Sequence, residues 1–453
     1  MTVNMRTLRV SLMLSLLFFL SGRIIAQNQT LSLKECINYT LQHHPNSTIY
    51  KNSAKSAEEK IRESRSALLP SISGNVGMDY NLKLATTVMP AGSFSTEETK
   101  LQMGKKISNT AYVQLDQKLF DRSASLDIKL SKVNKEIADL NLLKENEALI
   151  YNTASVYYEV LTYAEKGKLL RESEKLYKTM VSILKLRYDQ GEEKKSEYNR
   201  ARVNYNNVQF EIESNNSSYT LALNKLKNSI GMDIEVDISV EDSVADMNMK
   251  DMPSSIGLKT ADVNMLIDRR IDQKNLDVKR LDLKQKKTAY FPTLSLYAKY
   301  GGNSYGSSFN STLGDWYDYS VIGVKASIPL FSGFKKQSQF TQSKLSVSSL
   351  ELTNELNKQS YLLTIENAST SIMSSYTNLK KATENLQLAT EMMEASTVEY
   401  REGTATLTSL LDADYSYKEA RTNYTTSLLD YLTAQLSYYK NTGTITQFVN
   451  EIK

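Results

Sequence analysis

The chain has 453 residues, of which 41% are hydrophobic and 23% are charged, a balance that excludes wholesale disorder. Its 55 basic and 51 acidic side chains leave a formal charge of +4, which gives no electrostatic reason to expect a nucleic-acid partner. One cysteine excludes an intramolecular disulfide, and the small number of prolines and glycines, six and seventeen, predicts long uninterrupted elements.

The first segment has the pattern of a secretory signal peptide. Two arginines precede an apolar run at 10–20, and small residues follow at Gly22 and Ala26. This run is too short to span a bilayer as a helix, which takes about 20 apolar residues. We therefore expect residues 1–26 to be removed on export, with cleavage after Gly22 or Ala26, and any membrane insertion to use strands.

Two halves of the chain repeat the same landmarks in the same order, which indicates an internal duplication. The matched pairs are Ala67-Leu68-Leu69-Pro70 with Ala289-Tyr290-Phe291-Pro292, Leu119-Phe120 with Leu330-Phe331, Gly191 with Gly403, and Gly231 with Gly443. We expect a first structural repeat at 27–232, a linker or equatorial segment at 233–261, a second repeat at 262–443 and a C-terminal tail at 444–453.

Each half predicts a helix, a β-hairpin, a long helix, a turn and a further helix. The elements of the first half are expected at about 31–66 (helix), about 71–120 (hairpin), 122–190 (long helix) and 193–231 (helix). In the second half a helix precedes elements expected at about 293–330 (hairpin), 334–402 (long helix) and 405–441 (helix). The two long helices are nearly free of glycine and proline, so at about 1.5 Å per residue each forms a rod of about 100 Å.

The predicted strands alternate apolar and polar residues. In the first strand Ile72, Val76 and Met78 share one face, whereas Ser71 and Ser73 share the other. The alternation fits an outer-membrane barrel strand that turns its apolar face to lipid, and it equally fits a half-buried strand of a soluble sheet. Because the rest of the chain is predicted as rods, with no core for these hairpins to cover, the membrane interpretation is favoured.

Four strands per chain cannot close a barrel alone, since single-chain barrels start at about eight strands. An open sheet edge is not tolerated in lipid, so several chains must pool their strands. Aromatic side chains on or beside the strands are typical of the membrane interface. The predicted interface aromatics are Tyr80, Tyr112, Tyr297, Tyr300, Trp316 and Tyr319.

The order of these features resembles the TolC-like outer-membrane efflux and secretion channels, the outer membrane factor family, over residues 31–443. The features that carry the resemblance are the signal peptide, the duplicated halves, the Leu-Leu-Pro and Phe-Pro junctions, Pro329-Leu330-Phe331-Ser332-Gly333 and two Tyr-x-x-Gly turns. The resemblance implies a mainly α fold with a small β part. In this fold a long coiled-coil α-helical barrel continues into a transmembrane β-barrel, with four strands per protomer and twelve in a trimer.

The resemblance also implies a function and partners. The function is passive export through an outer-membrane channel and periplasmic tunnel of a tripartite efflux or type I secretion system. The implied partners are two further copies in a homotrimer, a periplasmic adaptor (membrane fusion) protein, an inner-membrane pump of the RND or ABC type, and outer-membrane lipid. No cofactor and no nucleic acid are expected, and the resemblance does not specify which substrate is exported.

In such a channel the two glycine turns form the periplasmic tips. Gly191 and Gly403 would end the long helices, with Tyr188 and Tyr400 three residues before them. We expect these four residues at the tip turns and the adaptor contact. The neighbouring charge run at 192–195 fits a polar adaptor contact, although such a short run is also typical of any solvated helix end.

The resemblance further implies an acidic constriction at the tip. Glu197 and Asp412 fill two of the family's acidic positions, and Asp414 lies two residues beyond the second. We expect Asp412, Asp414 and Glu197 to line the constriction, although without the resemblance an exposed helix face explains Asp412 and Asp414 equally well. Ser409 and Ala405 depart from the family, which has a carboxylate and an arginine there.

An enzyme is not expected. His43 and His44 are adjacent, so on a helix they point to different faces and do not make a metal pair. Cys36 lies among apolar neighbours and is expected to be a small buried hydrophobe. The alternative from another class is a secreted coiled-coil structural or adhesive protein, which explains the rods but not the duplicated hairpins. The loop at 84–109 is long enough to cover part of the channel mouth.

Overall fold

The computed structural model describes residues 29–89, 99–241 and 262–452, so the predicted signal peptide lies outside the described residues. Their contacts divide them into two compact units. The helical unit contains residues 29–51, 140–241, 262–270 and 356–452. The sheet unit contains residues 52–89, 99–139 and 271–355.

The chain is mainly α-helical, and the described residues form eight α-helices. They are α1 (Leu33–His43), α2 (Pro45–Ser66), α3 (Arg122–Asp189), α4 (Lys195–Ile230), α5 (Ile267–Thr288), α6 (Lys335–Glu402), α7 (Leu407–Asn441) and α8 (Ile445–Glu451). The helices α3 and α6 each have 68 residues, whereas α4 and α7 have 36 and 35. Within the described ranges, no helix has the length and apolarity that crossing a bilayer requires.

The strands form one four-stranded sheet and two small pairs. The strands are β1 (Gln29–Leu31), β2 (Ser71–Tyr80), β3 (Thr86–Met89), β4 (Thr99–Gln102), β5 (Ile107–Phe120), β6 (Ile238–Val240), β7 (Thr293–Gly306) and β8 (Tyr317–Ser327). The sheet has the order β2-β5-β7-β8, and every neighbour is antiparallel. Its central contact, β5 with β7, joins strands from the two halves of the sequence.

The register of the sheet separates an apolar face from a polar face. Residues that pair across antiparallel strands lie on the same face. The apolar face contains the rows Ile72-Leu115-Ala298-Ile322, Gly74-Val113-Tyr300-Ser320, Gln117-Leu296-Val324 and Leu294-Ala326. The polar face contains the rows Ser71-Asp116-Tyr297-Gly323, Ser73-Gln114-Lys299-Val321 and Asn75-Tyr112-Gly301-Tyr319.

Two glycines in these rows allow tyrosines to lie across the polar face. A Cβ at Gly301 would lie 2.4 Å from the Cβ of Tyr112, and a Cβ at Gly323 would lie 2.6 Å from the hydroxyl of Tyr297. A glycine inside a strand is otherwise unfavourable, and it is found where another group approaches closely. At Gly323 the ring of Tyr297 occupies the space that a larger residue would fill, whereas at Gly301 the backbone of Ala111 and Tyr112 on the neighbouring strand occupies it.

The core of the helical unit is made of interlocking helix faces. Leu33, Tyr157, Leu226 and Leu428 come from four different helices and are all buried in one cluster. Cys36 is fully buried in the same cluster, which confirms its expected role as a small hydrophobe. A second cluster in this unit contains residues near the ends of the long helices.

The structure differs from the sequence prediction at three places in the helical unit. The helix expected at about 31–66 is two helices, because His44 is extended before Pro45 and a residue before proline disfavours the helical conformation. The segment expected as a linker or equatorial segment at 233–261 contains strand β6, which pairs in parallel with β1. The expected tail contains helix α8.

The sheet unit adds a fourth difference. The loop expected at 84–109 contains the antiparallel pair β3 and β4, and residues 90–98 between them lie outside the described residues.

Candidate functional site

Both long helices end in the same glycine turn. Gly191 and Gly403 have φ angles of +79° and +80°, in the left-handed region that glycine adopts without a steric penalty. In each turn the amide after the glycine donates to the carbonyl five residues earlier, at 2.9 Å. This pattern satisfies carbonyls that a helix end leaves without partners, and it reverses the chain direction.

A single arginine joins the ends of the two long helices. The guanidinium Nη2 of Arg187 donates hydrogen bonds to the carbonyl oxygens of Tyr400 and Arg401, at 3.0 and 3.1 Å. Its Cζ also lies 5.0 Å from the centre of the Tyr400 ring. A cation at the last turn of a helix pairs with the negative end of the helix dipole. Arg187 thus connects α3 to the last turn of α6.

The sequence analysis did not single out Arg187 as a site residue. The two turn motifs do contain a signal, because Arg187 of the first half corresponds to Glu399 of the second. A charge reversal at matched positions of a repeat indicates that the two copies have different roles at that position.

The two predicted tip tyrosines have different environments. Tyr400 is only 3% exposed, and its hydroxyl donates to Oε2 of Glu193 at 3.2 Å. Burial, followed by the nearby Glu193 carboxylate, raises the pKa of Tyr400 to about 12. Tyr188 is exposed, and its ring stacks on that of Tyr198 with centroids 6.1 Å apart. One turn therefore has a buried tyrosine and the other an exposed one.

The three predicted constriction carboxylates also differ. Asp412 is exposed, and within the described residues its side chain has no hydrogen bond or ion pair. Glu197 is partly buried and forms an ion pair with Arg200 at 3.5 Å on the same helix. Asp414 is 4% exposed and lies within the protomer.

Asp414 takes part in a buried polar contact between helices α3 and α7. The hydroxyl of Tyr177 donates to Oδ1 of Asp414, and Lys418 forms an ion pair with Oδ2 at 3.1 Å. Burial, followed by the Asp414 carboxylate, raises the pKa of Tyr177 far above its usual value. Tyr177 therefore remains a hydrogen-bond donor at any physiological pH.

A second buried polar contact lies two helical turns further along α7. Arg421 donates from Nη1 to Oγ of Ser173 at 2.7 Å and from Nη2 to Oε2 of Glu211 at 2.9 Å. Its guanidinium thus joins three helices, α3, α4 and α7. Because removing one member of a buried charged contact leaves an unpaired charge, such contacts favour one alignment of the helices over others.

The departure at Ser409 has a local structural role. The backbone amide of Ser409 donates to Oγ1 of Thr406 at 3.2 Å, and the two hydroxyls are 3.0 Å apart. Thr406 is therefore the N-cap of helix α7, and capping of this kind contributes about 1 kcal/mol. Ala405 precedes this cap and is partly buried.

The sheet divides the six predicted interface aromatics between its faces. Tyr80 and Tyr300 lie on the apolar face, in register with Ile107 and Val113. The polar face carries three of the predicted aromatics, Tyr112, Tyr297 and Tyr319. Trp316 is exposed directly before β8. Only part of the predicted set therefore lies on the face that carries the apolar rows.

No group of three or more His, Cys, Asp and Glu side chains in the described ranges is arranged to hold a metal ion. His43 instead packs its ring against Tyr39, with centroids 4.5 Å apart.

Comparison with known proteins gives the class of the chain. The family model described as "Outer membrane efflux protein" matches residues 38–232 and 272–444. The chain is 25% identical to the outer membrane protein TolC of Escherichia coli over 408 residues, 86% of this chain and 78% of the relative. It is 22% identical to the alkaline protease secretion protein AprF of Pseudomonas aeruginosa over 275 residues, 59% of this chain and 54% of the relative.

A solved structure with the same fold is the CmeC outer membrane channel of Campylobacter jejuni. It superposes with a TM-score of 0.73 at 16% identity and covers 95% of this chain and 94% of the channel. The chain belongs to the outer membrane efflux protein family, and the TolC-like resemblance is confirmed. It is an outer-membrane export channel protein.

Proposed function

We propose that the chain is the passive outer-membrane conduit of a tripartite efflux or type I secretion system. The observation that carries the proposal is the sheet, whose strands are 10, 14, 14 and 11 residues long and have one exposed apolar face. A strand needs about 9–11 residues to cross a bilayer. Every strand of the sheet is long enough, and its apolar rows are suited to contact acyl chains.

The free edges of the sheet support assembly from several copies. Strands β2 and β8 are edge strands, and their outer hydrogen-bonding groups have no strand partner in the described chain. Lipid does not tolerate such edges, so β2 of one copy would pair with β8 of the next. A homotrimer, as the family implies, would close twelve strands into one barrel.

Exposed apolar side chains on the helices also support assembly. Phe210 and Leu221 on α4, and Leu356 and Leu363 on α6, are all exposed in the helical unit. An amphipathic helix in a single folded chain would turn such residues inward. In a helical barrel of several copies, neighbouring protomers would cover them.

Matched element lengths support an internally duplicated tunnel. The two long helices are equal in length, and the helices that follow them differ by one residue. Each half would then supply two rods to a periplasmic tunnel, with the boundaries 27–232 and 262–443 and a connecting segment at 233–261.

At the tips we assign the pore carboxylate to Asp412. Its carboxylate is exposed and unpaired among the described residues, whereas Asp414 is committed to Tyr177 and Lys418. In a trimer, one Asp becomes a ring of three that concentrates negative potential and attracts cations. Glu197 lies on the first turn of α4 and would add to this field from beside the ring.

The Asp412 assignment is tested by blocking the channel with multivalent cations in planar bilayers. Asp412→Asn should weaken the block by about tenfold or more, because it removes every charge of the ring. Glu384→Gln is the matched control, an exposed carboxylate on α6 well before the Gly403 turn, and should leave the block unchanged. Equal block in wild type and Asp412→Asn would remove Asp412 from the pore.

For partners, we propose that the tips dock a periplasmic adaptor protein that links the channel to an inner-membrane pump of the RND or ABC type. The turn residues Tyr188, Gly191, Tyr400 and Gly403 would shape the contact, and the charge run at 192–195 would border it. The pump supplies the energy, so the channel itself is not an enzyme and needs no cofactor.

Within the membrane, Tyr80, Tyr300 and Trp316 would contact the lipid interface, and the polar-face tyrosines would line the lumen. Tyr80 and Tyr300 differ from the polar-face tyrosines in the face of the sheet on which they lie, and Trp316 directly precedes β8.

Bilayer recording tests the whole proposal. In cells, the mature chain should fractionate with outer membranes and require detergent for extraction. After purification, it should form stepwise conducting channels in planar bilayers. A secreted adhesive protein would instead be released by salt or urea. A monomer that stays in solution without detergent and never conducts would refute the proposal.

A further inference from the structure

The end of the sheet that joins the helices carries exposed apolar and aromatic side chains. We define the collar as residues 120–122, 287–291 and 328–340, all in the sheet unit. Leu330 is 93% exposed, and Phe331 and Phe334 are 79% and 75% exposed. The spacing of two that places Ile322 and Val324 on the apolar face continues beyond β8 through Ile328 and Leu330. The collar therefore places exposed apolar side chains directly after the last residue of β8.

The backbone of the collar is strained where it presents these rings. Gly333 and Phe334 are consecutive residues in the left-handed region, with φ of +57° and +61°. A bulky residue in this region is uncommon and is found mainly in turns and functional segments. Phe334 makes an edge-to-face contact with Phe331 at 5.8 Å, so two exposed rings are held together.

Cations lie directly over the aromatic rings of the collar. Arg122 lies 4.6 Å from the ring centre of Phe291, and this pair joins the ends of the central strands β5 and β7. Lys287 lies 5.3 Å from the ring centre of Phe340. Lys336 lies 5.4 Å from the ring of Tyr290 and donates to the carbonyl of Ala289 at 2.6 Å.

The charge of the collar is one-sided. Its cations are Arg122, Lys287, Lys335 and Lys336, and its one carboxylate, Asp121, pairs with Lys118 and caps the start of α3. In the described part of the chain, none of the four cations forms an ion pair. Four uncompensated cations beside exposed rings make a surface that attracts anions at the edge of an apolar face.

We propose that the collar binds the anionic headgroups of diacyl glycerophospholipids in the membrane leaflet next to the helices. The proposal rests on the proposed function, because it requires the apolar face of the sheet to be in lipid. Acyl chains would then contact the sheet rows and the exposed phenylalanines. The phosphodiester group would meet Arg122, Lys287 and Lys336, whose geometry the aromatic rings fix.

Charge complementarity selects this occupant over a zwitterionic lipid, which offers no net negative charge. The continuity of the collar with the apolar rows selects a lipid over a free phosphate, which has no acyl chain to contact them. The pair of Arg122 and Phe291 lies at the central strands, away from both sheet edges, so a neighbouring copy that pairs with the edges would leave it exposed.

The test uses the full mature chain in a neutral maltoside detergent. Binding is measured by native mass spectrometry during titration with phosphatidylglycerol, phosphatidylcholine or inorganic phosphate. The collar variant combines Arg122→Gln, Lys287→Gln and Lys336→Gln. The matched control combines Lys178→Gln, Lys185→Gln and Lys381→Gln, which remove the same charge from exposed positions on α3 and α6.

Wild type and the control should bind phosphatidylglycerol in clear preference to phosphatidylcholine. The collar variant should bind phosphatidylglycerol about a hundredfold more weakly, since each cation beside a membrane surface contributes roughly fivefold. Inorganic phosphate should neither bind nor compete. Equal affinity of wild type for the two lipids, unchanged binding by the collar variant, or displacement by inorganic phosphate would overturn the proposal.

Conductance separates this inference from the proposed function. Wild type and the collar variant should both form channels in phosphatidylcholine bilayers. If both conduct and no preference for the anionic lipid is found, only the lipid inference fails. If neither protein conducts or enters a membrane, the proposed function fails as well.

Discussion

The sheet unit and the helical unit place the same kinds of side chain in opposite environments. In the sheet unit Val76 and Ile322 are 88% and 76% exposed, whereas in the helical unit Leu226 is fully buried. Burying a large aliphatic side chain stabilises a protein in water by about 1.5–3 kcal/mol. The helical unit gains this stabilisation within one chain. The sheet unit leaves much of it unused, and the proposed contact of its apolar face with lipid would supply it.

The comparison also concerns polar groups. The helical unit buries charged contacts such as those of Asp414 and Arg421, each satisfied by named partners. The sheet places the charged residues Asp116 and Lys299 on its polar face, and Asp318 lies on the other face in register with Gly302. One unit thus fixes the alignment of helices through buried contacts, and the other separates most of its polar residues from the apolar rows by strand alternation.

The largest expected effect comes from a charge on the apolar face of the sheet. Ile322→Arg should destabilise the chain in lipid by about 2–4 kcal/mol, because lipid-facing arginine near mid-membrane loses its hydration. Folding into lipid vesicles across a urea series measures this. The neighbouring Val321→Arg is the control, since Val321 lies on the polar face beside Lys299. Equal losses of stability for the two variants would show that the two faces of the sheet do not differ in their contact with lipid.

In the helical unit, the largest expected effect comes from the buried contact of Asp414. Tyr177→Phe removes one donor and leaves the carboxylate short of a partner, at a cost of about 1–3 kcal/mol. The shift in thermal midpoint, followed by circular dichroism in detergent, measures it. Tyr415→Phe makes the same chemical change at an exposed position on the same helix and should shift little. Matching shifts would argue against a stabilising buried contact.

A smaller effect is expected at the glycine turns. Gly191→Ala should cost about 1–2 kcal/mol, because alanine is strained at a φ of +79° even though its Cβ meets no other atom. Gly77→Ala in the sheet is the control, since that site also has room and has no positive φ. Hydrogen exchange at the turn amides should accelerate only in the first variant, and identical exchange would contradict the assigned strain.

The smallest expected effect depends on pH. Burial, followed by the carboxylate of Asp268, raises the pKa of Glu147 to about 7, and Lys440 partly offsets this. Lys144 faces the same site and is paired with Asp268 at 2.5 Å. The folded chain therefore keeps a proton that the unfolded chain releases above about pH 4.5, so stability falls as pH rises from about 4.5 to 7.

Glu147→Gln should remove this dependence. The variant should match wild type at pH 4 and exceed it at pH 8 by on the order of 1 kcal/mol, once solvent screening of a partly exposed group is allowed for. Thermal midpoints across this pH range measure the difference. Glu419→Gln, an exposed change on α7, should track wild type, and a Glu147→Gln curve parallel to wild type would disprove the pKa shift.

Local chemistry in the sequence accounts for much of the fold. The stretch after Phe120 lacks proline, and helix α3 runs from Arg122 to Asp189. Strand alternation at Ile72 and its neighbours indicates which residues share a face. The sequence prediction of one helix at about 31–66 has no break at His44, although the effect of Pro45 on the residue before it is local and readable.

The candidate site was less accessible to sequence reasoning. Gly191 and Gly403 could be identified, because a left-handed helix end favours glycine. The burial of Asp414 could not, since it depends on Tyr177 more than 200 residues away in sequence. The hydrogen bond from Arg187 to the carbonyl of Tyr400 spans a similar separation in sequence. Its acceptor is a backbone carbonyl, which every residue has, so the residue type at position 400 does not reveal it.

The sequence by itself determined the duplicated landmarks, the long helices, the two-faced strands and the glycine turns, because each follows from interactions between residues near one another in the chain. The tertiary structure alone decided that β5 pairs with β7, that Asp414 is buried while Asp412 is exposed, and that Arg187 joins two helix ends. These outcomes depend on which distant segments become neighbours, and that is set by the packing of the whole chain.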